Sequence, residues 1–261
     1  MNSSARSHVA SSFTLIKGAM IDETYAVLAA WDFALTKREN LDRLRRENFI
    51  GASTTTWLRD VSKVLNRRFD PNERDRPLAL LAKGGCSIDE WKPLLLWHIT
   101  RDEFLLNDFL CNWLFPLFVS GTYRVRTEDL YEHLQSVRSR GGTTEHEWSK
   151  TTVNRVAAAL LKIAVDFGLL RGSLVKEFTS YHLPERSFLY LLYAIREEMH
   201  SPRKVLESED WKMFLMLPSD VERELLRLHQ YRKLDYQVAG SLVELTLPCS
   251  TTREYAERMV A

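Results

Sequence analysis

Along most of this chain apolar side chains recur three and four positions apart, the spacing of helices with one face packed inward. Residues 14–30 place Leu15, Ala19, Tyr25 and Leu28 at such positions and predict an opening helix, with Asp32 near its end. A charged amphipathic helix follows over 36–48, with Leu41 and Leu44 inside. Residues 55–69 repeat the pattern with Trp57, Leu58, Val61, Val64 and Leu65, while Arg59, Lys63 and Arg67 recur every fourth residue as a basic stripe on the other side. Asp70-Pro71-Asn72 supplies turn chemistry, and Gly84-Gly85 breaks a further helical run from Leu78. Ser87 with Glu90 three residues on predicts a capping box for the helix that carries Trp91, Leu94 and Trp97.

The most apolar run, 104–119, is interrupted by Asn107, Asp108, Asn112 and Pro116. It falls short of the roughly 18 to 20 residues that span a bilayer, and a central charge there costs about 3 kcal/mol. A buried core helix is the expectation. The character of the chain changes at Gly121 and Tyr123-Arg124-Val125-Arg126, which sets expected boundaries of 1–120 for an N-terminal helical domain, 121–183 for a second module and 184–261 for a C-terminal helical segment.

Within the second module a helix capped by Thr127 spans 127–138, Arg140 to Thr144 form a turn, and a short helical piece lies around Glu145 to Trp148. Ser149 caps a long helix over 150–167, and Gly168 stops it. Residues 169–181 read as a hairpin turning near Arg171 to Ser173. Helix, turn, short helix, long helix and hairpin follow one another as in a winged helix-turn-helix. Beyond it, helices are expected at 187–199, 211–217 and 219–228, and a strand at 241–247. The fold class is thus mainly α: an N-terminal bundle, a winged helix-like module and a C-terminal helical segment with a short strand.

On a wheel at 100° per residue, Val153, Val156, Ala157, Leu160, Ala164 and Phe167 of the long helix face inward. Thr151, Arg155, Ala158, Ala159 and Lys162 face outward. Small alanines between a Thr, an Arg and a Lys let the backbone approach a major groove while the cations reach base edges and phosphates. Lys150 at the helix start, Arg171 at the hairpin turn and Lys176 on its second arm extend the same contact surface to the phosphates. Glu145, Glu147, Asp166 and Glu177 lie near, so such binding is salt-sensitive and modest. Two other readings stand beside it. A polar outer face with two cations is what any solvated helix shows, and winged helices also serve as protein-interaction adaptors. The stripe Arg59, Lys63 and Arg67 could serve the N-terminal helices for RNA.

Composition narrows the choice. The 261 residues are 45% hydrophobic, enough for a substantial core, and the 27% that are charged cancel to +1, so attraction to nucleic acid must come from local patches. Three scattered cysteines, Cys86, Cys111 and Cys249, fit neither a disulfide framework nor a thiolate metal site, and the polar N-terminus has no secretory core, so a reducing cytoplasm is expected. Phosphate-loop, dinucleotide and nucleophile-elbow motifs are missing. Glu145-His146-Glu147 is a charged patch rather than a metal site, and His98 beside Trp97 reads as a core histidine. No catalytic residue, cofactor, metal, membrane or small-molecule substrate is implied.

Four segments together resemble the BrxA family, the small non-enzymatic component of bacteriophage exclusion (BREX) defence systems. They are Ser12-Phe13-Thr14-Leu15-Ile16-Lys17-Gly18-Ala19; Trp31-Asp32; Glu47-Asn48-Phe49-Ile50-Gly51, ahead of a basic helix ending Arg67-Arg68-Phe69; and Trp148-Ser149-Lys150-Thr151-Thr152, running on to Asp166-Phe167-Gly168-Leu169-Leu170. The resemblance spans residues 12–192. It implies a helical cytoplasmic protein that acts in phage resistance with other BREX proteins, among them a methyltransferase, a phosphatase-like protein and ATPases. It also implies a likeness to a transcription-antitermination RNA-binding protein, binding of double-stranded DNA, and a history of inner-membrane labels that the run at 104–119 accounts for.

Overall fold

The computed structural model describes residues 6–144, 147–199, 201–240 and 242–261. It is mainly helical, with two small sheets. α1 (Ser12–Ile16) and α2 (Ile21–Ala29) divide the stretch that periodicity reads as one helix. Gly18 at φ 86° and Met20 at φ 52° turn the chain into the left-handed region between them, which no continuous helix tolerates. α3 (Lys37–Glu47) starts at a capping box made by Thr36 and Glu39 and stops at left-handed Asn48. α4 (Thr55–Arg68) is capped by Thr54, and α5 (Arg76–Lys83) and α6 (Ile88–Asp102) follow, the latter capped by Ser87.

Residues 104–119 form one rod: α7 (Phe104–Phe109), a π turn (Leu110–Leu114) and α8 (Phe115–Val119). Pro116 has no N–H, and its ring crowds the carbonyl four residues earlier; the wider turn just before it relieves that clash. Leu105, Leu106, Phe109, Leu110 and Leu114 of this rod are buried in the core. Among the described residues no helix is long and apolar enough to cross a membrane.

β1 (Arg124–Val125) leads to a 3-10 turn (Thr127–Leu130), α9 (Tyr131–Gln135) and a second 3-10 turn (Val137–Arg140). The single helix expected over 127–138 is broken at Ser136, whose hydroxyl donates to the Glu132 and His133 carbonyls in competition with the helical ladder. Of the short helix expected around residues 145–148, Glu145 and His146 lie outside the described residues, and Glu147 and Trp148 are not helical.

α10 (Lys150–Asp166) begins where Ser149 Oγ accepts the Thr152 N–H at 3.2 Å, and Gly168 at φ 79° ends it. All six residues that the wheel turns inward are buried, and so are Leu161 and Ile163, because α1 packs along a second flank of α10. Burial of each of these larger apolar side chains is worth about 1.5–3 kcal/mol. β2 (Leu170–Arg171) and β3 (Lys176–Phe178) then complete an antiparallel sheet in the order β1-β3-β2, with Arg124 and Arg171 both paired to Glu177.

The remaining elements are α11 (Glu185–Glu198), α12 (Pro202–Leu206), a 3-10 turn (Glu209–Phe214), α13 (Pro218–Gln230), the hairpin β4 (Asp235–Ala239) and β5 (Leu242–Thr246), and α14 (Thr252–Val260). The helix expected at 211–217 is the 3-10 turn, and left-handed Leu215 closes it. This segment packs on α5 and α6. α11 packs on α6, and α14 lies so close to α5 that a Cβ on Gly84 would meet Val260 Cγ1 at 2.2 Å. Asp210 accepts from Trp97 Nε1 at 2.6 Å and from Arg6 at 2.7 Å. One buried hydrophobic cluster runs through all three segments.

Candidate nucleic-acid interface

The outer face of α10 is as the wheel places it: Lys150, Thr151, Arg155, Ala158 and Lys162 are exposed, and Ala159 is half-buried. Lys150 and Arg155 have no ion-pair partner among the described residues, and the first turn of the helix holds no carboxylate. Two cations and the open N-terminal end of a helix dipole therefore face solvent together. Lys162, two turns further on, is paired with Asp166 at 2.9 Å. It shares a cleft of about 340 Å3 with Lys17 beside α1, Trp57 of α4 and Lys92 of α6.

Beyond α10 the short sheet presents a row of side chains across its strands. Glu177 on the central strand is held by Arg124 Nε at 3.1 Å through one carboxylate oxygen and by Arg171 Nη2 at 3.4 Å through the other. Hydrogen bonds from Arg124 and Tyr123, joined by the charges of the two arginines, hold the Glu177 carboxyl below the ordinary glutamate range. Both guanidinium groups stay largely exposed, and Arg126 is exposed two residues along the same edge. Lys176 folds back, its ammonium on the Ser173 carbonyl inside the hairpin.

The basic row on α4 lies on a separate helix. Arg59 and Lys63 are exposed without an ion-pair partner among the described residues, whereas Arg67 donates to Ser11 Oγ at 2.8 Å. α1 stands between this row and α10. Lys17, at its end, reaches Asp60 of α4 at 2.6 Å, and the buried Arg68 donates to the Thr14 and Gly18 carbonyls and to Glu103. Lys150, Thr151 and Arg155 thus share the first half of α10, Lys162 lies two turns further along, towards the hairpin that carries Arg171 and Lys176, and Arg59, Lys63 and Arg67 lie apart on α4. Sequence reasoning missed Arg124 and Arg126. Their signal was the alternation Arg-Val-Arg around buried Val125, the period of a strand with one wet face.

Three polar clusters inside the molecule have the residue types of catalysis but not its access. His98 Nδ1 meets Asp75 Oδ1 at 2.6 Å and His98 Nε2 meets the Tyr190 hydroxyl at 2.8 Å, all in the core. Burial lowers the His98 pKa, which favours the neutral ring, the form that can both donate to Asp75 from Nδ1 and accept from Tyr190 at Nε2. The Arg68–Glu103 pair is equally enclosed. Asp108, in the middle of the apolar rod, takes hydrogen bonds from His133 at 2.9 Å, from Arg140 Nη2 at 2.9 Å and from Asn112 at 2.9 Å. Burial alone would raise its pKa; these donors outweigh burial and hold it well below the usual carboxylate range. Among the described residues no group of three or more His, Cys, Asp or Glu is arranged to hold a metal ion.

Compared with known proteins, residues 11–194 match the family model described as BrxA. No curated protein matches the chain.

Proposed function

The chain belongs to the BrxA family, and on that premise we propose that it serves a BREX phage-defence system as a cytoplasmic, non-catalytic component that binds double-stranded DNA alongside other BREX proteins. The observation that carries the reading is the face of α10, where Lys150 and Arg155, without an ion-pair partner among the described residues, precede the small Ala158 and Ala159 on a helix whose first turn holds no carboxylate. A backbone that approaches so closely suits a major groove, and the two cations suit its guanine edges and phosphates.

Topology supports the same reading. A rod at 104–119, β1, α9, α10 and the β2–β3 hairpin follow in sequence, and the sheet order β1-β3-β2 puts the first strand beside the last. That order is compatible with a winged helix, in which α10 would be the recognition helix and the hairpin the wing. Asp108 ties the rod to His133 and Arg140 on either side of the turn, and Phe118 of the rod meets Phe178 of β3 with ring centres 5.6 Å apart.

The test is a gel-shift titration of a duplex at two salt concentrations, with Lys150→Glu/Arg155→Glu compared with wild type after thermal melts show both folded. Wild type should weaken steeply with salt, and the variant should lose about 30-fold or more, with a salt slope shallower by about two. Equal binding by both would hand the role to another surface. The row Arg59, Lys63 and Arg67, tested with structured RNA, is then the next surface to vary. No binding to either nucleic acid would leave a protein-interaction adaptor, a role compatible with the charge that Lys162 and Arg171 already spend on Asp166 and Glu177.

A further inference from the structure

Leu174 stands at the tip of the β2–β3 hairpin and is 86% exposed, more than any other large hydrophobic side chain among the described residues. Its loop, residues 172–175, is tightly formed. Gly172 has φ 104°, and a Cβ there would lie 2.4 Å from the Val175 carbonyl oxygen, so only glycine closes this turn. The Lys176 ammonium fastens the other side of the loop to Ser173, and Arg171 at the base is pinned to Glu177. The tip is thus a single apolar side chain on a braced support rather than a floppy end. Arg171 and Lys176 border the loop, with Arg124 on the neighbouring strand and Arg126 just past its end; the carboxylates beside them are Glu177 on the sheet and Glu128 and Asp129 in the turn that follows Arg126.

An apolar point in a cationic collar fits one kind of partner. A protein interface needs several hundred Å2 of contiguous apolar surface, and the loop neighbours of Leu174 are Gly172, Ser173 and a half-buried Val175. A nucleic-acid duplex offers what the collar and the tip each need: phosphates on either side of a groove, and the apolar faces of stacked base pairs between them. We propose that Leu174 enters the minor groove as a wedge between two base pairs, partly unstacks them and kinks the duplex, while the collar grips the flanking phosphates. The inference rests on the DNA-binding reading of α10. With that helix in a major groove, a hairpin that leaves its C-terminal end by the short turn at Gly168 meets the next groove, the minor one. Because unstacking costs least at pyrimidine–purine steps, the wedge would confer a preference for sites that contain one, with no hydrogen bond to a base edge.

The experiment uses the full chain with two duplexes of equal length, one with a central TA step flanked by 2-aminopurine and one with no pyrimidine–purine step. Wild type should raise the 2-aminopurine fluorescence severalfold and bind the TA duplex about tenfold more tightly than the stiff one. Leu174→Ala, expected to melt with wild type because the residue is exposed, should lose the fluorescence rise and fall to the affinity of the stiff duplex. Leu174→Met should keep both. If Leu174→Ala still binds and still brightens the probe as wild type does, the wedge is wrong while DNA binding through α10 stands. If wild type binds neither duplex at low salt, the DNA reading fails and the wedge fails with it.

Discussion

Asp108 and Glu177 are each gripped by two basic side chains, and the grips have opposite meanings. Asp108 lies inside the rod at 104–119, 2% exposed, with His133 reaching in from α9 and Arg140 from the 3-10 turn after it. Glu177 lies on the sheet, 21% exposed, with Arg124 and Arg171 reaching over from the two outer strands. Asp108 cannot regain water if its partners are lost, whereas Arg140 is 23% exposed, so the buried carboxylate makes the cluster a pin between elements. On the surface water and salt compete for each group, so the cluster contributes little to folding and chiefly sets how much positive charge the sheet presents. Burial, not the count of partners, separates a structural pin from an electrostatic control.

The largest effect that could break this contrast is on stability. Asp108→Ala removes the buried acceptor shared by His133, Arg140 and Asn112, an expected loss of about 3 kcal/mol, or roughly 10 °C in a melt of a chain this size. A melting temperature within 2 °C of wild type would show that the pin carries no load. A finer test uses pH. The Asp108 carboxyl is held well below the ordinary aspartate value of 3.8 in the fold, so its stabilisation is present above that value and is lost as pH falls toward its depressed folded pKa. Acid titration of stability should therefore be shallower below about pH 4 in Asp108→Asn than in wild type; parallel curves would assign acid sensitivity elsewhere.

The smallest change in folding belongs to the exposed grip, and there the readout is binding. Glu177→Gln should leave the melting temperature within about 2 °C of wild type while releasing Arg124 and Arg171. Affinity for duplex DNA at low salt should rise about three- to tenfold, with a steeper salt dependence. A fall in affinity would mean that the carboxylate holds the arginines in their working positions, and the contrast with Asp108 would narrow.

Much of this was legible because it is local. The six inward residues of α10, its Ser149 cap and its Gly168 stop lie within twenty residues of one another, and the helix forms as the periodicity requires. The exposed Lys150 and Arg155 follow from the same wheel. What escaped depends on distant partners. β1 is two residues long and exists only because Arg124 and Val125 pair with Glu177 and Lys176, fifty residues on. The burial of Leu161 and Ile163 needs α1, and α14 needs the face of α5. β4 was missed because four of its five residues, in Asp235–Ala239, are exposed and give no alternation. The π turn before Pro116 leaves no mark on an apolar run that is buried on most sides.

The closeness of Gly84 to Val260 also sets a timetable for biosynthesis. α5 emerges from the ribosome about 170 residues ahead of α14, the helix that covers it. At roughly 5–20 residues per second, its apolar face stands open for something like ten to thirty seconds. Until α14 arrives, the face of α5 that it covers is open to a chaperone, or to an aggregating neighbour.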